Sequence, residues 1–130
     1  MTNSSAGDSI EQAGIRFQIG MYEEALHADP DDAEALRFLA HAYGQIGKGE
    51  ERLQTDQHLA RLTPHDPRVH YNLACSHALL GETEKAITSL EDACGVGFRD
   101  AVLLRRDNEL DSLRDDPRFI AIERLIDDDQ

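Results

Sequence analysis

The chain has 130 residues, of which 40% are hydrophobic and 30% charged, a composition that fits one globular domain. No apolar run approaches the roughly 18 residues of a membrane span, and no signal peptide is visible, so we predict a cytoplasmic protein without a membrane partner. The formal net charge of -13 argues against nucleic acid as a partner, because phosphate contacts need a basic face. Cys75 and Cys94 lack CxxC spacing and are predicted to stay reduced.

The first predicted element is a helix from about Ser9 to His27, after a stretch over residues 1–8 that we predict to be disordered. One apolar stripe is expected to pack on the following helices and consists of Ile15, Ile19, Tyr22 and Leu26. A second stripe on a different face consists of Ile10, Phe17 and Met21. Either the helix bends or the C-terminal part of the chain folds to cover this second stripe, or the stripe is an exposed patch for dimerisation or for a partner helix.

The next two segments, residues 33–66 and 67–99, match each other when shifted by 34 residues. Three of the aligned pairs are Leu39 with Leu73, Ala40 with Ala74, and Gly47 with Gly81. The aspartates that precede each predicted helix pair or closing segment share the same step, and they are Asp32, Asp66 and Asp100. An aspartate there can accept backbone N–H groups at a helix N-cap, and each glycine marks the turn inside a helix pair. The sequence therefore predicts repeated pairs of short amphipathic helices.

This pattern resembles the tetratricopeptide repeat family. The better copy, residues 67–98, carries Leu73-Ala74, Ala86 and Leu90 in the family's positions. The copy over 33–66 keeps its own Leu-Ala pair, Tyr43 and Pro64. It departs at Arg52 and Asp56, where the family has alanine and an aromatic residue, so we expect its second helix to pack loosely or to shift. The resemblance implies an all-α fold, a short right-handed α-solenoid of antiparallel helix pairs.

The C-terminal segment resembles the closing element that follows the last repeat in many bacterial arrays of the family. Its sequence predicts a short helix in "AVLLRRD", a turn or a single helical turn in "NELDSL", and a final helix capped by Asp115 or Asp116. The predicted layout is a single domain over residues 9–130. It comprises a half repeat (9–32), two repeats (33–66 and 67–99) and capping helices (100–128) that cover the open end of the solenoid.

Catalytic and metal-binding motifs are missing from the sequence: we find no P-loop, GxSxG, HExxH or EF-hand loop. His70, Cys75 and His77 lie close in sequence, but the first two are five residues apart and face different directions on a helix. Both histidines also replace core aromatics of the repeat pattern. We therefore predict no enzyme activity, no catalytic residue, no bound metal and no cofactor.

The resemblance also implies a concave groove lined by the first helix of each pair. The groove-facing positions are Arg37, Phe38, His41 and Gln45 in one copy, and Arg68, Tyr71, Asn72 and Cys75 in the next. Three of them, Arg37, His41 and Asn72, occupy positions that resemble the set with which some family members hold a peptide's terminal carboxylate. Arg105 or Arg106 completes the set only if the register continues past Gly97. The alternative is an ordinary solvated groove in which Glu34 pairs with an arginine.

Two functions follow from these patterns. The favoured hypothesis is a non-catalytic protein-interaction module or scaffold that binds a peptide or a helix in the concave groove. The alternative is a homo-oligomerising structural module, with a homodimer formed through the Ile10, Phe17 and Met21 face. The partner is expected to be a protein or peptide, and a fold shared by many unrelated functions does not name it.

Overall fold

A computed structural model of the chain describes residues 9–128, and all regular elements in that range are helical. They are α1 (Ile10–Ala28), α2 (Ala33–Gln45), α3 (Gly49–Leu62), α4 (Pro67–Leu79), α5 (Thr83–Gly95), α6 (Ala101–Arg106), a 3₁₀ helix (Asn108–Leu113) and α7 (Pro117–Asp128). The predicted disorder of residues 1–8 lies outside the described residues. The chain contacts form two compact units, Met1–Thr55 and Asp56–Gln130, and the predicted domain layout stays a prediction.

The helix starts follow the aspartate spacing of the sequence. The side chains of Asp32, Asp66 and Asp100 each accept a hydrogen bond from a backbone N–H two or three residues further along, at 3.0 to 3.1 Å. These bonds satisfy N–H groups that have no partner inside the helix, which is why an aspartate stabilises this position. Of the two candidates before α7, Asp116 is the cap, because its carboxylate accepts from the backbone N–H of Arg118 at 2.9 Å.

The turns within the two helix pairs depend on glycine. Gly47, between α2 and α3, has a φ of 76°, and Gly81, between α4 and α5, has a φ of 77°. These left-handed conformations suit glycine because it has no Cβ, so the chain can leave one helix and begin the next within a few residues. The predicted role of both glycines is confirmed.

The core of the first unit lies between α1 and α2. Ile19 of α1 is buried against Leu39 and Tyr43 of α2, with the rest of the predicted inward stripe packed around them. The hydroxyl of Tyr43 donates a hydrogen bond of 2.5 Å to a carboxylate oxygen of Glu23. Burial, and then this hydrogen bond, raise the pKa of Tyr43 well above its ordinary value, so the phenol stays protonated as the donor. The predicted packing of α1 on the next helix is confirmed.

The core of the second unit is larger and includes the C-terminal segment. Its fully buried side chains include Tyr71 of α4, Ile87 and Leu90 of α5, Leu104 of α6 and Phe119 of α7. The 3₁₀ helix adds Leu110 and Leu113, which no water reaches. Residues 100–128 therefore pack on the apolar side of the α4 and α5 pair and share its core.

The predicted loose packing or shift of α3 stays a prediction, but Asp56 within it is buried. The helix α3 is regular from Gly49 to Leu62, and Asp56, in the position where the family has an aromatic residue, is only 2% exposed. Its carboxylate accepts a hydrogen bond of 2.5 Å from the hydroxyl of Ser76 in α4. A buried carboxylate is tolerated when it is hydrogen-bonded, so a polar contact takes the place of aromatic packing here.

Among the helices of residues 9–128, none combines the length and the hydrophobicity that a bilayer span requires.

Candidate interaction surfaces

The first surface is a row of polar side chains on α2, in the first unit. Arg37, His41 and Gln45 are four residues apart and exposed, so they form one line along the helix. Phe38 is half-buried and stacks on Tyr22 of α1, with ring centroids 4.2 Å apart and an interplanar angle of 25°. Part of Phe38 thus holds α1 and α2 together, and the polar row beside it is what faces solvent.

The α4 positions divide into two kinds. Arg68 and Asn72 are four residues apart and exposed, and a guanidinium nitrogen of Arg68 lies 3.9 Å from a carboxylate oxygen of Asp100. Tyr71 and Cys75 are buried in the core of the second unit. Of these four side chains of α4, only Arg68 and Asn72 can contact a ligand without displacing other parts of the chain.

The prediction that Tyr71 and Cys75 face an open groove is therefore wrong. The ring of Tyr71 stacks on Phe98 with centroids 4.7 Å apart, and its hydroxyl donates a hydrogen bond of 2.7 Å to Oδ2 of Asp107. The thiol of Cys75 donates to the same oxygen at 3.7 Å. The repeat register put these side chains on the correct face of α4, but the C-terminal segment covers that face.

Asp107 holds this cover in place, and the sequence analysis missed it. Its Oδ1 accepts the backbone N–H of Glu109 at the start of the 3₁₀ helix, and its backbone carbonyl accepts a hydrogen bond of 2.7 Å from Arg114. Burial raises the pKa of Tyr71, and the hydrogen bond to the Asp107 carboxylate and its negative charge raise it further, so Tyr71 stays a donor. The signal in the sequence was an aspartate in N-cap position before a segment with leucines three residues apart, Leu110 and Leu113.

One group of three metal-ligating side chains forms within residues 9–128. Cys75, Asp107 and Glu109 have ligand atoms within 4.8 Å of one another. Both carboxylate oxygens of Asp107 already accept hydrogen bonds from the protein, so helix capping and the fixing of Tyr71 account for its position. The prediction that the chain binds no metal stays a prediction.

The two histidines of α4 have structural contacts. Nε2 of His70 lies 2.7 Å from the carbonyl oxygen of Pro64, to which it donates. Nδ1 of His77 lies 2.7 Å from a carboxylate oxygen of Glu82, across the turn at Gly81. This hydrogen bond lowers the pKa of Glu82. Both side chains therefore fix the ends of α4 and point to no metal site.

The third surface is the outward face of α1. Ile10 is 92% exposed, Phe17 70% and Met21 54%, so the described part of the first unit does not cover this stripe. Gly14 lies in the same row, and a Cβ added there would meet no other atom within 4 Å. The interpretation that a bend of α1 buries the stripe is wrong, and cover by the C-terminal part of the chain, which belongs to the second unit, stays a prediction. The three side chains form an apolar face in contact with solvent.

Comparison with known proteins places the fold. No family model matches the sequence. The solved structure of MamA MSR-1 C2 superimposes with a TM-score of 0.69 at 18% sequence identity, covering 92% of this chain and 71% of that one. This likeness, with the all-helical content of residues 9–128, confirms the predicted fold class, an all-α tetratricopeptide-like solenoid.

One curated relative also matches, a chloroplastic protein from Arabidopsis thaliana. The two sequences are 28% identical over 109 residues, a match that covers 82% of this chain and 31% of the relative. The chain thus spans about a third of the length of that protein. A tetratricopeptide-like helical-repeat fold is the class to which the structural likeness and the helical content of residues 9–128 assign the molecule.

Proposed function

We propose that this chain is a non-catalytic protein-interaction module that binds a peptide or a helix through the exposed polar rows of α2 and α4. The observation that carries the proposal is the exposure of these rows on the first helix of each pair in a tetratricopeptide-like fold. The row on α2 is Arg37, His41 and Gln45, and the row on α4 is Arg68 and Asn72.

The chemistry of the two rows suits a peptide. An arginine guanidinium can donate two parallel hydrogen bonds to a carboxylate, and the amide of Asn72 can both donate to and accept from a peptide backbone. The rows themselves contain no apolar side chain, and the apolar groups beside them are the exposed part of Phe38 on α2 and Leu79 on α4, which is 54% exposed. Recognition here therefore depends on hydrogen bonds and charge, with Phe38 and Leu79 as the apolar contacts.

The test is a peptide panel measured by fluorescence anisotropy, with each peptide made once with a free C-terminal carboxylate and once amidated. We expect at least one saturable ligand, and we expect Arg37→Ala with His41→Ala, or Arg68→Ala with Asn72→Ala, to weaken it about tenfold, a loss of about 1.4 kcal/mol. The matched control is Arg124→Ala, an exposed arginine of α7 outside both rows.

The outcome decides between the rows and the rest of the surface. A ligand that prefers the free carboxylate and loses that preference in Arg37→Ala supports a carboxylate-holding role for Arg37. A ligand that Arg124→Ala weakens as much as the row variants contradicts the proposal, because the attraction is then one of general charge. A panel without any saturable ligand also contradicts it.

A second function has its own observation, the exposed α1 face. An apolar stripe such as Ile10, Phe17 and Met21 is typical of a surface that a second copy of the chain can cover, and a twofold interface uses the same patch on both copies. Light scattering over a concentration series tests this homodimer. A dimer in the wild type that Phe17→Asp converts to a monomer supports it, whereas Val102→Asp, at an exposed position of α6, leaves the mass unchanged.

The remaining predictions rest on the sequence alone. The net charge of -13 supports the proposal that nucleic acid is not a partner. We keep the cytoplasm as the predicted compartment, beside a curated relative whose name assigns that protein to the chloroplast.

A further inference from the structure

A groove between α5 and α7, on the second unit, lies apart from the surfaces described above. It encloses a cavity of about 430 Å³, within the size range of ordinary binding pockets. Ile122 and Cys94 form its buried base, and Leu125 forms a half-exposed wall along α7. The groove is therefore open to solvent along one helix and apolar at its floor.

The floor of the groove stays uncharged. Burial raises the pKa of the Cys94 thiol above its ordinary value, so the side chain is a neutral thiol at neutral pH. Gly95, beside it at the end of α5, leaves additional room, because a Cβ added there would meet no other atom within 4 Å. An aliphatic or aromatic side chain fits this space without meeting a buried charge.

Two charged side chains line the groove, Glu91 and Arg118. The guanidinium of Arg118 donates to both carboxylate oxygens of Glu84, at 2.7 and 2.9 Å, and to Asp116 at 2.7 Å. Arg118 is therefore already paired with carboxylates outside the lining, and the exposed carboxylate of Glu91 is the acidic group of the groove itself. A basic side chain of a ligand is favoured beside Glu91 over an acidic one.

We propose that the groove between α5 and α7 binds the apolar face of a basic amphipathic helix from a partner protein. A leucine-sized side chain of the partner enters the cavity over Ile122 and beside Leu125, and a lysine or arginine one turn away pairs with Glu91. Helices that dock in this way use apolar side chains spaced three and four residues apart, which matches a groove that runs between two helices. This site is separate from the polar rows of the proposed function.

The probe is a fluorescein-labelled 18-residue helical peptide of leucine and lysine, with leucines at helical spacing, measured by anisotropy at physiological salt. The wild-type chain is expected to bind it saturably. The variant Gly95→Leu fills the cavity without changing the charge and is expected to weaken binding about tenfold or more. The variant Glu91→Gln is expected to weaken it about threefold, the effect of one exposed ion pair.

Two controls separate the groove from general attraction to an acidic protein. Gly20→Leu adds the same side chain at an open helical glycine of α1, outside the row of Ile10, Phe17 and Met21, and is expected to leave the affinity unchanged. A second peptide with glutamate in place of every lysine is expected not to bind. If Gly95→Leu fails to fold, as judged by circular dichroism, Ala121→Leu fills the groove from the α7 side and takes its place.

Several outcomes would overturn the proposal. Equal affinity for wild type and Gly95→Leu means that the peptide binds the acidic surface elsewhere. Binding of the glutamate peptide removes the charge argument. Self-association that Gly95→Leu abolishes, measured by light scattering, assigns the groove to a second copy of the chain, and saturation by octylammonium without peptide binding assigns it to a small amphiphile.

Discussion

The face of α4 that carries Tyr71 is covered by other parts of the chain, whereas the face of α1 that carries Phe17 is exposed. Each is a face of a helix that another element of a helical repeat could cover. On α4, the aromatic side chain Tyr71 lies under Phe98 and is hydrogen-bonded to Asp107. On α1, the aromatic side chain Phe17 is 70% exposed.

The difference shows what the C-terminal segment does. In an array of helix pairs each pair buries its apolar face against a neighbour, so a terminal pair needs a cap. Residues 100–128 supply that cap in the second unit. As a result, two predicted groove residues, Tyr71 and Cys75, are inaccessible to a ligand. The described part of the first unit has no such cover on α1, which is why that face is a candidate interface.

The difference between the two regions is tested most directly by removing one phenylalanine side chain from each. Phe119 of the cap is only 1% exposed and has the guanidinium of Arg114 5.6 Å above its ring. We expect Phe119→Ala to lower the free energy of unfolding by about 3 to 5 kcal/mol, because it leaves a cavity in the core. Phe17→Ala is expected to change it by less than about 0.5 kcal/mol.

Urea unfolding followed by circular dichroism measures both values. A large loss for Phe17→Ala at a concentration where the wild type is monomeric would mean that α1 is covered in solution. A loss below about 1 kcal/mol for Phe119→Ala would mean that the cap contributes little to the stability of the second unit.

Substitutions of Asp107 test whether this side chain holds the C-terminal segment on α4. Asp107→Ala removes the acceptor of Tyr71 and Cys75 and the cap of the 3₁₀ helix, so we expect a loss of about 2 to 3 kcal/mol in the same measurement. Asp107→Asn keeps one acceptor oxygen and is expected to lose less. If the two variants are equally stable, the charge and geometry of the carboxylate are not what hold the segment on α4.

Substitutions of the N-cap aspartates test whether the two units differ in local helix stability or only in which helix face is covered. Asp32→Ala in the first unit and Asp100→Ala in the second each remove one hydrogen bond at a helix start, and we expect each to cost about 1 kcal/mol. The matched control is the serine variant at each position, which keeps a capping oxygen. A cost at one end several times that at the other would contradict the view that local helix signals are equivalent in both units.

The smallest expected effect concerns the ion pairs that join α5 and α7. The hydrogen bond from Arg118 lowers the pKa of Asp116 from its ordinary 3.8 to about 2, and Arg118 also lowers the pKa of Glu84. A carboxylate whose pKa is lowered in the folded state stabilises the fold at every pH above its pKa in the unfolded state. This contribution is lost as the pH falls through its pKa in the folded state. The contribution of Asp116 is therefore present above pH 3.8 and lost toward pH 2.

The measurement is the stability difference between wild type and Arg118→Gln as the pH falls through that window. Because the pKa values of the variant return toward ordinary values, we expect the difference to shrink on acidification, by a small amount since the side chains are exposed. Arg124→Gln is the control and is expected to show no such convergence. A difference that stays constant with pH would contradict the argument.

The local features of the fold could be predicted because they depend on nearest neighbours in sequence. The aspartate caps, the glycine turns and the inward stripe of α1 follow from spacing alone, and the structure has each of them. The candidate site could be predicted only in part. Arg37, His41, Gln45, Arg68 and Asn72 are exposed, but the same register also selected Tyr71 and Cys75, which are buried.

The missed contacts all join residues far apart in the chain. Asp107 meets Tyr71 across 36 residues, and Asp56 meets Ser76 across 20. A repeat pattern compares a position with its equivalents one period away, so it carries no information on an irregular segment that follows the last repeat. The exposed face of α1 was an open alternative for the same reason, because covering it required a segment whose position the sequence did not specify.

By itself, then, the sequence determined where the helices begin and turn and which face of each is apolar, because capping, glycine turns and amphipathic spacing are local. It also determined the acidic net charge, on which the prediction against nucleic acid as a partner rests. Only the tertiary structure decided that the face of α4 with Tyr71 and Cys75 is covered, since that depends on where residues 100–128 fold. It placed a buried carboxylate where an aromatic was expected, and it opened a groove between α5 and α7 that no single helix contains.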